Sequence, residues 1–208
     1  MQWGALILAI AGCYATGVSY YLHRRTQRLK FLGILFASAL FVCTQIAQLL
    51  TAFFTDAIGS FIMDQIVEWG SVYCIALVLG SLLLFIRESK PEFSRFPKFY
   101  AALPLVVVIS YLLAYDTLVI KGWLMNIYQA GAAIVAMLIY GYYAYKDSIF
   151  YTLAIGMGLF LITYILSIAL PSDLHIIWQI PFAIGIGTVF SGYLVVNNSL
   201  KEKAGSAA

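Results

Sequence analysis

Apolar runs of roughly 20 residues, cut by short polar connections, recur along the whole chain. Seven can be marked, at residues 3–22, 31–54, 61–86, 99–120, 122–145, 149–170 and 174–196. Each is long enough, as a helix, to cross a hydrocarbon core of about 30 Å. The pattern predicts an all-α integral membrane protein, a seven-transmembrane-helix bundle forming a single membrane domain over residues 1–198. A short polar tail follows over 199–208. The third run is the most informative. Its first turns carry Asp64, Gln65 and Glu68, while its remainder is almost wholly apolar. Asp64 and Glu68 are four apart, so a helix puts them on one face. Two carboxylates there are costly unless they meet water, a cation or hydrogen-bond donors.

Composition agrees. The 208 residues are 63% hydrophobic and 10% charged, where soluble domains carry about 25% charged residues. Mean hydropathy is +0.94, leaving room for one compact bundle and no soluble domain. The formal net charge of +3 matters less than its distribution: of twelve Lys and Arg, eleven lie in 24–30, 87–98, 146 and 201–203, and only Lys121 lies elsewhere. Alternate connections therefore carry the positive charge. The positive-inside rule places the N-terminus outside and the C-terminus in the cytoplasm. Trp3, Trp69, Trp123 and Trp178 fall toward the outer side, and Tyr20, Tyr21, Tyr100, Tyr142, Tyr143, Tyr145 and Tyr151 toward the inner interface. Both sets suit the aromatic belts of a membrane protein.

The opening Met1-Gln2-Trp3-Gly4 has no positive charge, and the cations follow the apolar run. That describes an anchor and not a cleaved signal. Ile10-Ala11-Gly12-Cys13 resembles the lipid-attachment box of bacterial lipoproteins, yet the apolar run continues nine residues beyond Cys13, so cleavage there would remove half a spanning helix. Cys13, Cys43 and Cys74 are three in number and lie inside apolar runs, which gives no disulfide framework.

An internal echo is present. Leu40-Phe41-x-x-Thr44-x-Ile46 in the second span matches Leu159-Phe160-x-x-Thr163-x-Ile165 in the sixth. A three-plus-one-plus-three parallel repeat, with the fourth helix as connector, would produce it; so would chance in text this rich in Leu, Phe and Ile. Small residues one turn apart (Ala11/Ala15, Ala132/Ala136, Gly187/Ser191) and the glycines Gly156 and Gly158 provide for close helix approach. Pro104 and Pro181 interrupt the ladders of the fourth and seventh helices.

With this orientation, the polar residues inside the spans converge on the outer half. Gln45 and Gln48 come from the second span, Asp64, Gln65 and Glu68 from the third, and Asn126 and Gln129 from the fifth. Tyr111, Tyr115 and Asp116 come from the end of the fourth, Thr163, Tyr164 and Ser167 from the sixth, and His175, Trp178 and Gln179 from the seventh, with Asp116 and Asp173 expected in solvent at helix ends. The inner halves hold no ionisable side chain other than cysteine or tyrosine. If these faces point inward, the result is a ligand-binding cavity open to the outside above an apolar plug. Glu68 is the leading member because it lies deepest of the acids, and Asp64 and His175 come next. The plainer reading of each Gln or Tyr is a helix-to-helix hydrogen bond, worth about 0.6 kcal/mol. For Asp64 it is an interfacial position, and for His175 a helix cap.

Asp64, Glu68 and His175 could in principle bind a metal, but the chain holds only two histidines, and His23 lies at the other end of its span. The seven-helix hydrolases of the progestin-receptor and ceramidase type depend on several histidines, so neither a metal nor an enzymatic site is expected. The microbial rhodopsin plan is similar in helix number, yet residues 174–196 contain no lysine for a Schiff base. No cofactor is expected. In helix count and topology the chain resembles the seven-helix input domains of bacterial sensor kinases, which implies a small-ligand-sensing, receptor-like module. The three-plus-one-plus-three plan resembles the sugar- and vitamin-transporting seven-helix families, which implies a small-solute or ion transporter. A structural subunit of a larger membrane complex is the third reading. The expected partners are the lipid bilayer, a small solute or cation and a membrane or cytoplasmic protein, with no nucleic acid. The expected location is the cell membrane, of the bacterial inner-membrane kind.

Overall fold

The computed structural model describes residues 2–51, 53, 57–89, 97–114, 118–169 and 175–205. Among these, seven α-helices and one 3₁₀ turn account for nearly everything. They are α1 (Gln2–Thr26), α2 (Leu29–Leu50), α3 (Ala57–Ser89), α4 (Pro97–Leu113), α5 (Leu118–Lys146), α6 (Tyr151–Ala169) and α7 (His175–Gly205). Six are long and apolar enough to cross a membrane; α4, at 17 residues, is the shorter one. Their outward faces are apolar too. Leu113, Leu138, Ile127 and Phe61 are more than 60% exposed, and only 6% of the α5 span is buried. So much exposed apolar side chain belongs against lipid. The protein is a multi-pass membrane protein.

Each helix packs on its sequence neighbours, α3 also touches α5, and α7 returns to α1 to close a ring. The alternation of up and down puts the ends of α1, α3, α5 and α7 at one pole, called here the basic pole. The starts of the same helices define the N-terminal pole. Tight connections enforce the alternation. Only Gln27 and Arg28 separate α1 from α2, and Gln27 takes the left-handed conformation, φ 54°, with its N–H donating to the carbonyl of His23 at 2.7 Å. That is the helix-ending geometry usually given to glycine. Between α5 and α6, the Ile149 N–H donates to Asp147 Oδ1 at 3.2 Å and opens the 3₁₀ turn Ser148–Phe150.

Three buried clusters hold the ring. Val72, Ala76 and Leu79 of α3 meet Val107 and Tyr111 of α4. Ala136 and Tyr140 of α5, Leu153 of α6 and Val189 of α7 form the second, and Val18, Leu22 and Phe31 the third. Small residues make the seams, as expected for helices that lipid cannot drive together. Val189 lies over Gly156, and Leu153 over Gly192, so α6 and α7 interlock reciprocally. Gly158, by contrast, faces open space.

Several element boundaries differ from the pattern of apolar runs. The fourth helix ends at Leu113, not Ile120, and Leu118–Ile120 begin the fifth helix; Gly122 reads as a helix start in the sequence, but the helix passes through it. The seventh helix runs to Gly205, so residues 199–205 of the polar tail prolong it. The basic pole is not uniformly apolar. Lys30, at the start of α2, is buried, with its ammonium 4.7 Å from the Phe85 ring centroid and 5.5 Å from that of Phe31. Beside it the hydroxyls of Tyr140 and Tyr193 meet at 2.5 Å. Aromatic faces attract the cation there.

Candidate functional site

Glu68 is placed by α3 so that its carboxylate looks toward α4 and α5. Two donors converge on the same oxygen. Tyr111 Oη of α4 donates to Oε1 at 2.5 Å and Lys121 Nζ of α5 donates to it at 2.8 Å. The ammonium also lies 5.0 Å from the Tyr111 ring centroid. The next residue of α3, Trp69, stacks edge-on against Tyr111 at 5.6 Å and donates its Nε1–H to Oε1 of Gln65, one turn back, at 3.2 Å. Behind them Ser110 Oγ and Tyr128 Oη meet at 2.8 Å, tying α4 to α5. These groups border a half-enclosed hollow of about 200 Å³, lined by Gln65, Glu68, Trp69, Tyr111, Leu112 and Lys121. The Glu68 and Lys121 side chains are 27% and 22% exposed, so the pair is partly shielded and still reachable.

The remaining polar residues do not join this hollow. Asp64, Gln48 and Gln129 are exposed, and Asn126, Tyr164 and Trp178 are half-buried. His175 begins α7, and its side chain lies outside the described residues, as do Tyr115, Asp116 and Asp173. Gln45 and Gln179 fall on the opposite side of the ring. There Phe182 of α7 touches Phe41 of α2 at 6.0 Å and Phe160 of α6 at 5.2 Å. Gln45, Thr163 and Gln179 each stand one turn from one of these rings, toward the N-terminal pole. Their Gln45 Oε1, Thr163 Oγ1 and Gln179 Oε1 atoms are buried without a hydrogen-bond partner. Gln179 fills the notch left by Gly4, where a Cβ would overlap its amide. The single outward cavity expected from six helices is thus two separate polar groups. The reason is rotational: residues at one depth on different helices need not face one another. Among the described residues no group of three or more His, Cys, Asp or Glu could hold a metal ion.

Of the residues that line the hollow, Trp69, Leu112 and Lys121 are missing from the sequence-derived polar set, while Tyr111 belongs to it without being singled out as a ligand contact. Lys121 is the only cation away from the basic segments, and an unpaired cation beside an unpaired acid was the available signal. The fold and these groups define a helical, multi-pass membrane protein with a charged hollow at one pole. Comparison with protein-family models, curated proteins and solved structures finds no match.

Proposed function

We propose that this protein is a small-ligand-sensing, receptor-like membrane module whose ligand binds in the hollow between α3, α4 and α5. The observation that carries the reading is the Glu68 carboxylate, bonded at once to Lys121 and Tyr111 on two other helices. A solute with a carboxylate competes for Lys121. One with an ammonium competes for Glu68 and for the faces of Trp69 and Tyr111. A small zwitterion offers both and would replace a clasp within the protein by two bonds through itself, shifting the spacing of α3 and α5. Differential contact of that kind is what a ligand-driven population shift requires. The positive-inside distribution places this pole outside. The hollow serves binding, not catalysis, in this reading.

The test is the melting temperature of the purified protein against a panel of amino acids, simple carboxylates and amines. A ligand at about 100 times its Kd stabilises by ~2.7 kcal/mol. The expected result is stabilisation of the parent by a zwitterion, lost in Glu68→Gln and in Lys121→Met. If no member of the panel stabilises the parent, the reading fails. The second reading, a small-solute or ion transporter, draws support from the unpartnered oxygens of Gln45, Thr163 and Gln179, since transporters place polar groups within the membrane. Uptake of the stabilising solute into vesicles would favour it.

A further inference from the structure

A larger hollow lies on the outside of the ring, between α1 and α7. Its volume is about 500 Å³, and it opens sideways, toward the lipid. Val18 and Leu194 give it apolar walls, and Gly17 leaves its floor bare, with nothing within 4 Å of where a Cβ would stand. Two polar contacts between the helices mark its ends. Toward the membrane centre, the hydroxyls of Tyr14 and Ser191 meet at 3.0 Å. At the basic pole, Arg25 Nη1 donates to Asn198 Oδ1 at 3.0 Å and to Tyr21 Oη at 2.6 Å, with its guanidinium over the Tyr21 ring. From Tyr14 to Arg25 a helix rises about 16 Å, half of a core of about 30 Å. The groove therefore runs the depth of one leaflet, from headgroup level to the middle.

Chemistry at its two ends differs in the way a phospholipid does. Both bonds of Arg25 use Nη1, which leaves the Nε–Nη2 edge, the fork that fits a phosphate bidentately. Arg24 beside it is exposed and adds a second positive charge. Tyr21 and Asn198 hold the guanidinium in place, so little side-chain entropy remains to be lost on binding. Basic pockets between membrane helices at headgroup level take anionic lipids for this reason. We propose that the α1–α7 groove binds one anionic phospholipid, its phosphate on Arg25 and one acyl chain along Gly17. A zwitterionic lipid brings its own cation beside the phosphate and gains less from the arginines. The proposal rests on the membrane-spanning reading and is independent of the α3–α5 hollow.

The experiment is native mass spectrometry of the full chain in detergent, titrated with phosphatidylglycerol or with phosphatidylcholine of the same acyl chains. Glycerol phosphate serves as the chain-free control. The expected result is one tightly held lipid, with phosphatidylglycerol preferred by about tenfold or more, the worth of one charge-assisted bond. Arg25→Gln should abolish the preference, and Arg25→Lys should restore only part of it. Gly17→Leu, at an exposed helical position where leucine is the better helix former, should weaken both lipids by filling the groove. Equal binding of the two lipids by the parent overturns the proposal. So does glycerol phosphate binding as tightly as the lipid, or parental lipid binding by both Arg25→Gln and Gly17→Leu.

Discussion

Glu68 and Lys121 depend on each other because neither is fully hydrated. Exposed ion pairs contribute about 0.2–1 kcal/mol, while removing one member of a buried pair costs about 3–5 kcal/mol. With 27% and 22% of these side chains exposed, the pair lies between those limits. A double-mutant cycle of Glu68→Gln and Lys121→Met, followed by unfolding in detergent, should return a coupling on the order of 1–2 kcal/mol. Each single variant should be less stable than additivity with the double allows. A coupling near zero would mean that Tyr111 alone satisfies the carboxylate. The glutamate could be singled out from the sequence by its depth. Its partners could not, since Tyr111 lies 43 residues and Lys121 53 residues away, and neither separation follows from a helical period.

Between elements, the α6–α7 seam shows how two glycines two residues apart differ in consequence. A Cβ on Gly156 would stand 2.5 Å from Val189 Cγ2 and 3.0 Å from the Val189 backbone nitrogen, whereas one on Gly158 would meet nothing within 4 Å. Backbone cannot move aside as a side-chain tip can. Gly156→Val should therefore destabilise by about 1–3 kcal/mol through overpacking, and Gly158→Ala should stabilise by about 0.5–1 kcal/mol through helix propensity. Thermal unfolding of the two variants beside the parent measures both. If they move together, the seam does not run through Gly156. The sequence marks both glycines as sites of close approach, but only the rotation of α6 against α7 separates the packed one from the open one.

For the whole molecule, the ring order and its alternation of direction make a statement about sides. Residues 23–28, 146–148 and 198 share the basic pole, while 51 and 122 belong to the other. Single cysteines at Gln27, Ser148, Thr51 and Gly122, introduced after Cys13, Cys43 and Cys74 are replaced, should label accordingly. In intact cells an impermeant maleimide should reach positions 51 and 122 and not 27 or 148. The reverse pattern would invert the orientation drawn from Lys and Arg, and labelling of all four would contradict the alternation itself.

What the sequence alone determined is the class: an all-helical, multi-pass membrane protein, with cations gathered at alternate connections. Those properties follow from hydropathy over whole helices, and each helix satisfies its own backbone whatever its neighbours are. Tertiary structure alone decided which face of each helix meets another. In a bilayer, lipid and a neighbouring helix are equally apolar, so periodicity carries little of that information. Hence Gln65 and Glu68 share a hollow with Tyr111 and Lys121, Gln45 and Gln179 bury their amide oxygens elsewhere, and Gln48 and Gln129 face outward, although these five glutamines and Glu68 belong to the polar set drawn together at one depth. Depth can be counted along a chain; azimuth is set only when the helices pack.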